Sequence, residues 1–278
     1  MQDNAAQLEY WNGPAGQRWA ALQERIDANL GKISDAFFAF ANVPPGARVL
    51  DIGCGCGTTT LKLAEIVGPS GEVLGADISK PMLGVATARA ATAKSRARFI
   101  EADASAHAFP PAHFTQVASR FGVMFFADPA EAFANIRRAM VADARLTFVC
   151  WGPVEQNAWV TEAMTIALPM LPPQEPPVPG APGPFAFANA DRLRGILTQA
   201  GFKNVAIEPL KSVMYLGKNG ENAAQESLSI GPLARAVTEA DEATREKIRT
   251  ALVKRYDTLT TPEGVNLGTS CWLVAATA

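Results

Sequence analysis

Gly53, Gly55 and Gly57 stand at alternate positions in "RVLDIGCGCGTTTLKLA" (48–64), directly after an apolar run. Without a Cβ, such glycines let the backbone approach a ligand closely, and the helix that follows offers free N–H groups and a positive dipole end. A nucleotide-type ligand is therefore expected here. The dinucleotide pattern G-x-G-x-x-G would put its third glycine at position 58, where the chain carries Thr58. Asp51, just ahead of Gly53, is ill placed beside a pyrophosphate and suits a ligand with a cationic group, such as an ammonium, at the mouth of the loop. These two features speak against NAD. Asp77 follows about twenty residues beyond the loop, where an acidic residue commonly takes ribose hydroxyls, and Asp103 is placed to reach an adenine amino group. The glycines alone also fit a structural turn; joined to both acids they mark a ligand crevice.

These residues must be positioned by a run of alternating strands and helices. "ARVLDIG" (47–53) reads as a short buried strand after the breakers Pro44, Pro45 and Gly46, and "TTTLKLAEIVG" as a helix closed by Gly68. "GEVLGADIS" (71–79) is the second strand, and Ser79 is the expected N-cap of the helix "KPMLGVATARAATAKS". "ARFIEAD" (97–103) is the third strand and "TQVASRFGVMFF" (115–126) contains the fourth. Asp128 and Glu131 form a capping box on the next helix, and "RLTFVCWG" (145–152) is the fifth strand. This alternation implies a parallel sheet covered on both faces. Asp51, Asp77 and Asp103 then end three successive strands at one crevice.

Beyond Trp151 the rhythm changes. The proline-dense "LPMLPPQEPPVPGAPGPFAFA" (168–188) fits a stiff surface linker or an apolar wall over a pocket. "NADRLRGILTQAGF" (189–202) returns to a helix, with Leu193, Ile196, Leu197 and Ala200 on one face. "NVAIEPL" (204–210) is a sixth strand. Residues 211–265 read as mostly helical and polar, with a short strand at 212–216, and "TSCWLVAATA" (269–278) is a closing strand that must pair with the sheet.

Composition narrows the function. With 25 Lys and Arg against 27 Asp and Glu, the net charge of -2 leaves no basic excess for a nucleic-acid partner. Cys54, Cys56, Cys150 and Cys271 lack zinc-type spacing, so no metal is expected; their placement fits reduced thiols in a cytoplasmic protein. The N-terminus has no signal-peptide pattern, and no apolar run is long enough to span a bilayer.

"VLDIGCGCGTTTLKLA", "VLGADIS" and "FIEADAS" resemble motif I and the following nucleoside-binding segments of class I S-adenosylmethionine-dependent methyltransferases. More narrowly, "YWNGPAGQRWAALQERID" and "SRFGVMFFADP" resemble bacterial members near the ubiquinone/menaquinone-biosynthesis C-methyltransferase group. The resemblance implies an α/β fold: a Rossmann-like, seven-stranded, mostly parallel sheet with an antiparallel last strand, helices on both faces, and a helical and proline-rich cap. It divides the chain into an N-terminal helical lid (1–30), a cofactor-binding core (31–210 and 266–278) and a mostly helical insertion (211–265). The loop Gly53–Cys54–Gly55–Cys56–Gly57, flanked by Asp51, Thr58 and Thr59, would cradle the methionine part of S-adenosylmethionine. Asp77 would take the ribose hydroxyls, with Ile78 and Met82 near the adenine and Ala102, Asp103 and Ala104 on its edge. Ser119 and Arg120 would lie beside the amino-acid end, and Phe121, also counted among the cofactor contacts, follows the fourth strand where an acceptor would enter. Trp11 and Trp19 would close the site as part of the lid, or simply pack a helix onto the sheet.

Two departures stand out. Thr115 and Gln116 sit where many relatives have an acid, and "VADARL" lacks their glycine pair before the fifth strand. Both bear on local stability more than on binding. A sulfonium methyl is already activated, so the chain has mainly to align an acceptor and exclude water; a base is needed only for a neutral acceptor. His107 is a weak candidate for that base and more readily a solvated loop residue, while His113 reads as a surface turn. The expected reaction is methyl transfer to a small lipophilic or aromatic acceptor. A methyltransferase acting on protein or RNA and a non-catalytic cofactor-binding protein are the alternatives. No nucleic acid and no stable membrane insertion are expected, and a homodimer is left open.

Overall fold

The computed structural model describes residues 4–173 and 178–278, and in it the strands form one eight-stranded sheet. They are β1 (Arg48–Ile52), β2 (Glu72–Asp77), β3 (Arg98–Glu101), β4 (Phe114–Arg120), β5 (Met140–Trp151), β6 (Lys203–Gly217), the two-residue β7 (Thr260–Thr261) and β8 (Gly264–Thr277). The order is β3-β2-β1-β4-β5-β8-β6, with β7 paired to β8. Strands β1 to β5 are parallel to one another, and β8 runs antiparallel to both β5 and β6. The order reverses at β1. Right-handed crossovers that leave β1 in opposite directions put their helices on opposite faces and open a crevice at the strands' carboxyl ends.

The helices are α1 (Ala5–Asn12), α2 (Pro14–Ala21), α3 (Gln23–Asn29), α4 (Gly31–Ala41), α5 (Thr58–Val67), α6 (Lys80–Thr92), α7 (Pro129–Arg138), α8 (Ala158–Ala167), α9 (Ala190–Gln199), α10 (Gly220–Ser229), α11 (Pro232–Ala236) and α12 (Glu242–Asp257). Among the described residues, no helix is long and apolar enough to cross a membrane. The central strands carry apolar side chains on both faces, as a doubly covered sheet requires: Val49, Leu50, Leu146, Phe148 and Val149 are fully buried. Phe133 on α7 ties one layer to the sheet, with its ring 5.7 Å from Phe148 and 6.0 Å from Phe187. Leu193, Ile196, Leu197 and Ala200 of α9 are buried as their spacing predicts.

Strand boundaries differ from the sequence pattern at the end of the chain. The strand expected at 204–210 and the short one at 212–216 are a single strand, β6, which pairs with β8 from Lys203↔Thr277 to Gly217↔Val265. Residues 211–217 therefore lie in the sheet, and the helical part of the insertion is α10 to α12. Half-exposed polar residues along β6 masked the alternation. At the missing glycine pair, Asp143 itself takes the left-handed conformation (φ 59°), which Asp tolerates better than most residues. Thr115 Oγ1 accepts the Arg48 N–H at 3.0 Å, whereas Gln116 Oε1 is buried without a partner.

The N-terminal helices dock onto the start of α6. Ser79 is its N-cap residue, but the hydroxyl donates to the Trp11 carbonyl (2.7 Å) and not to its own helix. Asn12 does that work instead: its Oδ1 accepts from the Lys80 N–H (2.9 Å) and its amide donates to the Ile78 carbonyl (2.8 Å). Asp128 caps α7 as expected, accepting from the Glu131 N–H at 3.1 Å.

Candidate cofactor and acceptor site

Leaving β1, the chain turns through Gly53, Gly55 and Gly57, all at positive φ (66°, 53° and 83°). A Cβ on Gly53 would stand 2.5 Å from the Cα of Gly122, so the loops after β1 and β4 touch backbone to backbone. A Cβ on Gly55 would meet only Met82 Sδ, at 3.8 Å, and would project into the crevice. Asp77, ending β2, is 7% exposed and holds this loop in shape: its Oδ2 accepts the Gly55 N–H at 2.7 Å and its Oδ1 the Ser79 N–H at 2.8 Å. Burial raises its pKa, against the lowering effect of those N–H donors.

A second carboxylate faces the loop from α3. Asp27 accepts from the Thr58 hydroxyl (2.6 Å), the Arg120 guanidinium (3.1 Å) and Gln23, and pairs with Arg89 (3.5 Å). Arg89 also donates to the Cys56 carbonyl (2.7 Å) and Thr58 Oγ1 (2.8 Å), and Arg120 to Ser34 Oγ (3.0 Å). Next in the chain, Phe121 takes a positive φ of 62°, uncommon for a non-glycine residue. Its ring lies stacked on Trp151, 4.4 Å between centroids.

One continuous cavity runs from the glycine loop to the cap. Its far half is aromatic and apolar: Trp151 and Trp159 (4.8 Å apart), Phe125, Pro184, and Ile230 and Leu233 from the insertion. Trp11 packs edge-on against both Trp19 (5.7 Å) and Phe125 (5.2 Å), closing the cavity from the N-terminal side. The main polar group of this half is Glu226 on α10, buried and held by Arg25 and by Asn29 Nδ2 (2.6 Å).

Most of the residues singled out in the sequence line this cavity: Trp11, Trp19, Gly53, Cys54, Gly55, Thr58, Thr59, Asp77, Ile78, Met82, Ala102, Asp103, Ala104, Arg120 and Phe121. Four do not. Asp51 is fully buried beneath the loop, where its Oδ2 accepts the Thr60 hydroxyl at 2.6 Å, so it does not stand at the mouth as expected. Ser119 is also fully buried; its hydroxyl donates to the Ile52 carbonyl (2.7 Å) and accepts the Gly122 N–H (3.1 Å), fastening the two loops together. Gly57 faces Ala86 and Phe99 at the helix start. His107 is exposed with its ring against Phe109, outside the cavity and unsuited to act as a base there. His113 is half-buried and bonds Glu72 at 3.0 Å. Of the proline-dense wall, Pro184 reaches the cavity while Phe187 enters the core; residues 174–177 lie outside the described residues.

Asn4, Gln7, Asp27, Trp151, Trp159 and Glu226 line the cavity and were not picked out from the sequence. Trp151 carried one readable signal, its place at the end of the fifth strand, beside the crevice.

Residues 49–143 match the methyltransferase domain family. The chain has the class I methyltransferase fold. Over 112 residues it is 37% identical to the demethylmenaquinone methyltransferase of Thermus thermophilus, covering 40% of this chain and 50% of that one. Over 108 residues it is 39% identical to the ubiquinone/menaquinone biosynthesis C-methyltransferase UbiE of Ectopseudomonas mendocina, covering 38% and 42%. The chain thus spans about half the length of these curated relatives. The phosphoethanolamine N-methyltransferase 2 of Haemonchus contortus, solved with S-adenosyl-L-methionine, superposes with a TM-score of 0.60 at 16% identity, over 97% of this chain and 59% of that one. The YcgJ protein of Bacillus subtilis superposes with a TM-score of 0.56 at 18% identity, over 90% and 97%. The methyltransferase segment holds the glycine loop, Asp77, Asp103 and Arg120. The N-terminal helices and the insertion, which close the cavity, lie outside it.

Proposed function

We propose that the protein transfers a methyl group from S-adenosylmethionine to a small lipophilic or aromatic acceptor, a ring of the quinol type being favoured by the names of its relatives. The observation that carries this reading is one cavity with two chemically distinct halves: a glycine-and-carboxylate cradle opening into an aromatic pocket. The cradle fits the cofactor. Gly55 leaves open space that a side chain would fill, and Asp77, pinned by two backbone N–H groups, retains lone pairs for ribose hydroxyls. Arg120 and Thr58 would border the cofactor's amino-acid end, while Ile78, Met82 and Ala104 would flank the adenine.

When bound, S-adenosylmethionine supplies a methyl group already activated by the positive sulfur. The chain's own part is to orient and to exclude water. The stacked Phe121 and Trp151 and the edge of Trp159 offer flat apolar walls to a ring, while the Trp11–Trp19–Phe125 contact shuts out solvent. Glu226 is the carboxylate placed on the acceptor side. The neutral charge balance and the enclosed pocket fit a small molecule better than RNA or protein.

The test is calorimetric titration with S-adenosylmethionine, S-adenosylhomocysteine and NAD, followed by turnover against a panel of quinols and phenols, read as S-adenosylhomocysteine release. Binding of the first two but not NAD, with turnover of at least one ring acceptor, is expected. Comparable NAD affinity would overturn the cofactor assignment, and binding without turnover of any acceptor would favour a non-catalytic binding protein.

A further inference from the structure

Two residues that line the cavity carry buried side-chain carbonyl oxygens with no partner: Asn4 Oδ1 and Gln7 Oε1. Both atoms are buried, and Asn4 as a whole is only 8% exposed. Leaving such an acceptor dry and unbonded costs roughly 1–3 kcal/mol, which calls for a donor that arrives from elsewhere. Asn4 is held in one orientation. Its amide nitrogen donates to Asp103 Oδ2 at 3.2 Å, and Asp103 is itself fixed by the Ser105 N–H (2.9 Å) and hydroxyl (2.6 Å) on its other oxygen. An ionised carboxylate accepts only, so the Asn4 amide cannot turn over without losing that bond, and its oxygen is left as a buried acceptor. Gln7 lies one helical turn on, at i+3, and therefore on the same side of the helix as Asn4. Beyond it, Trp11 and Asn12 bond Ser79, Ile78 and Lys80. The pair of acceptors thus lies between the ends of β3 and β2.

We propose that Asn4 and Gln7 complete an adenine subsite from the N-terminal side, their carbonyl oxygens accepting the two hydrogens of the exocyclic amino group. This rests on the cofactor reading above. It adds that recognition of the base is shared between the core and the N-terminal helices, because Asp103 is already bonded three times within the protein. A base carrying a carbonyl in place of the amino group would set oxygen against oxygen and be rejected.

The experiment compares S-adenosylhomocysteine with S-inosylhomocysteine, which differ in that group and in the proton carried by the neighbouring N1, by calorimetry on the full chain. Wild type should prefer the adenine ligand by at least about tenfold, the worth of one hydrogen bond. Asn4→Ala and, separately, the volume-matched Gln7→Met should each weaken the adenine ligand by up to about tenfold and leave the inosine ligand no weaker, or tighter where the opposing oxygen is gone. Equal affinity of wild type for the two ligands would overturn the proposal, as would equal losses on both in each variant, which would mark the residues as packing alone. No binding of S-adenosylhomocysteine by wild type would overturn the cofactor reading together with it.

Discussion

Replacing Asp51 by Asn tests how the carboxylate beneath the glycine loop is held. Asp51 is fully buried; one oxygen accepts from Thr60 and the other, Oδ1, has no partner. Burial lifts its pKa from 3.8 to about 7, the Thr60 hydrogen bond and the Arg120 charge pulling it down and the charge of Asp77 adding to the rise. The folded pKa thus exceeds the unfolded one, so between about pH 4 and pH 7 the native chain binds the extra proton. Stability from this group is fully present below pH 4 and is lost as pH rises through 7. A gap of about 3 pKa units (7 less 3.8) at 1.36 kcal/mol each corresponds to a contribution on the order of 4 kcal/mol. Asparagine has the same shape and no charge, and its amide can donate to Thr60 Oγ1. Urea unfolding followed by tryptophan fluorescence, from pH 4.5 to 8.5, should find the two proteins close at the acid end and Asp51→Asn more stable by several kcal/mol at the alkaline end. The difference between the proteins is the quantity to read, since other carboxylates titrate alike in both. A difference that stays constant across the range would refute the reasoning.

Four further outcomes follow from the geometry. Asp77→Asn should weaken S-adenosylhomocysteine binding by about 1.5–3 kcal/mol, the range for hydrogen bonds to a charged group, as measured by calorimetry; unchanged affinity would leave Asp77 with the loop alone. Hydrogen exchange in residues 8–25 should slow when the same ligand is added, because Trp11 and Trp19 line the cavity; equal protection with and without ligand would make α1 to α3 permanent core. Asp143→Gly should raise stability by up to about 1 kcal/mol in urea unfolding, since it relieves a left-handed residue at an exposed, irregular position near the start of β5. Arg25→Met should lower stability by about 1–3 kcal/mol, less than for a fully buried pair because Arg25 is 40% exposed; no loss in the same assay would show that Asn29 suffices for Glu226.

The first four strands were legible because they are short runs bounded by glycine, proline or helical spacing, and the crevice because Asp77 and Asp103 come at or just after the ends of adjacent strands. Asp77 and Asp103 fell where that reasoning put them. Asp51 did not, because a sequence gives a strand residue's position but not which face receives its side chain; Thr60 of α5 takes it from below. Asn4, Gln7, Asp27 and Glu226 escaped for a different reason. They lie on or beside short helices whose polar residues look like ordinary solvated faces, and only the docking of those helices over the crevice turns them inward. Ser119 resembled a ligand contact because it neighbours Arg120, yet its hydroxyl is spent on Ile52 and Gly122.

The insertion leaves the sheet at Gly217 and returns near Val265, and these two residues are partners across the β6–β8 ribbon. Everything between them, α10 to α12 included, hangs from two backbone points already fixed side by side. The segment is also fastened to the rest of the chain by side chains: Glu226 of α10 is held by Arg25 and Asn29 of α3, and Arg255 of α12 pairs with Glu162 of α8. Because α10 and α11 contribute Glu226, Ile230 and Leu233 to the aromatic half of the cavity, a change in this segment would be felt first in that half. It would reach the glycine loop only through α3, where Arg25 and Asn29 hold Glu226 and Asp27 accepts from Thr58.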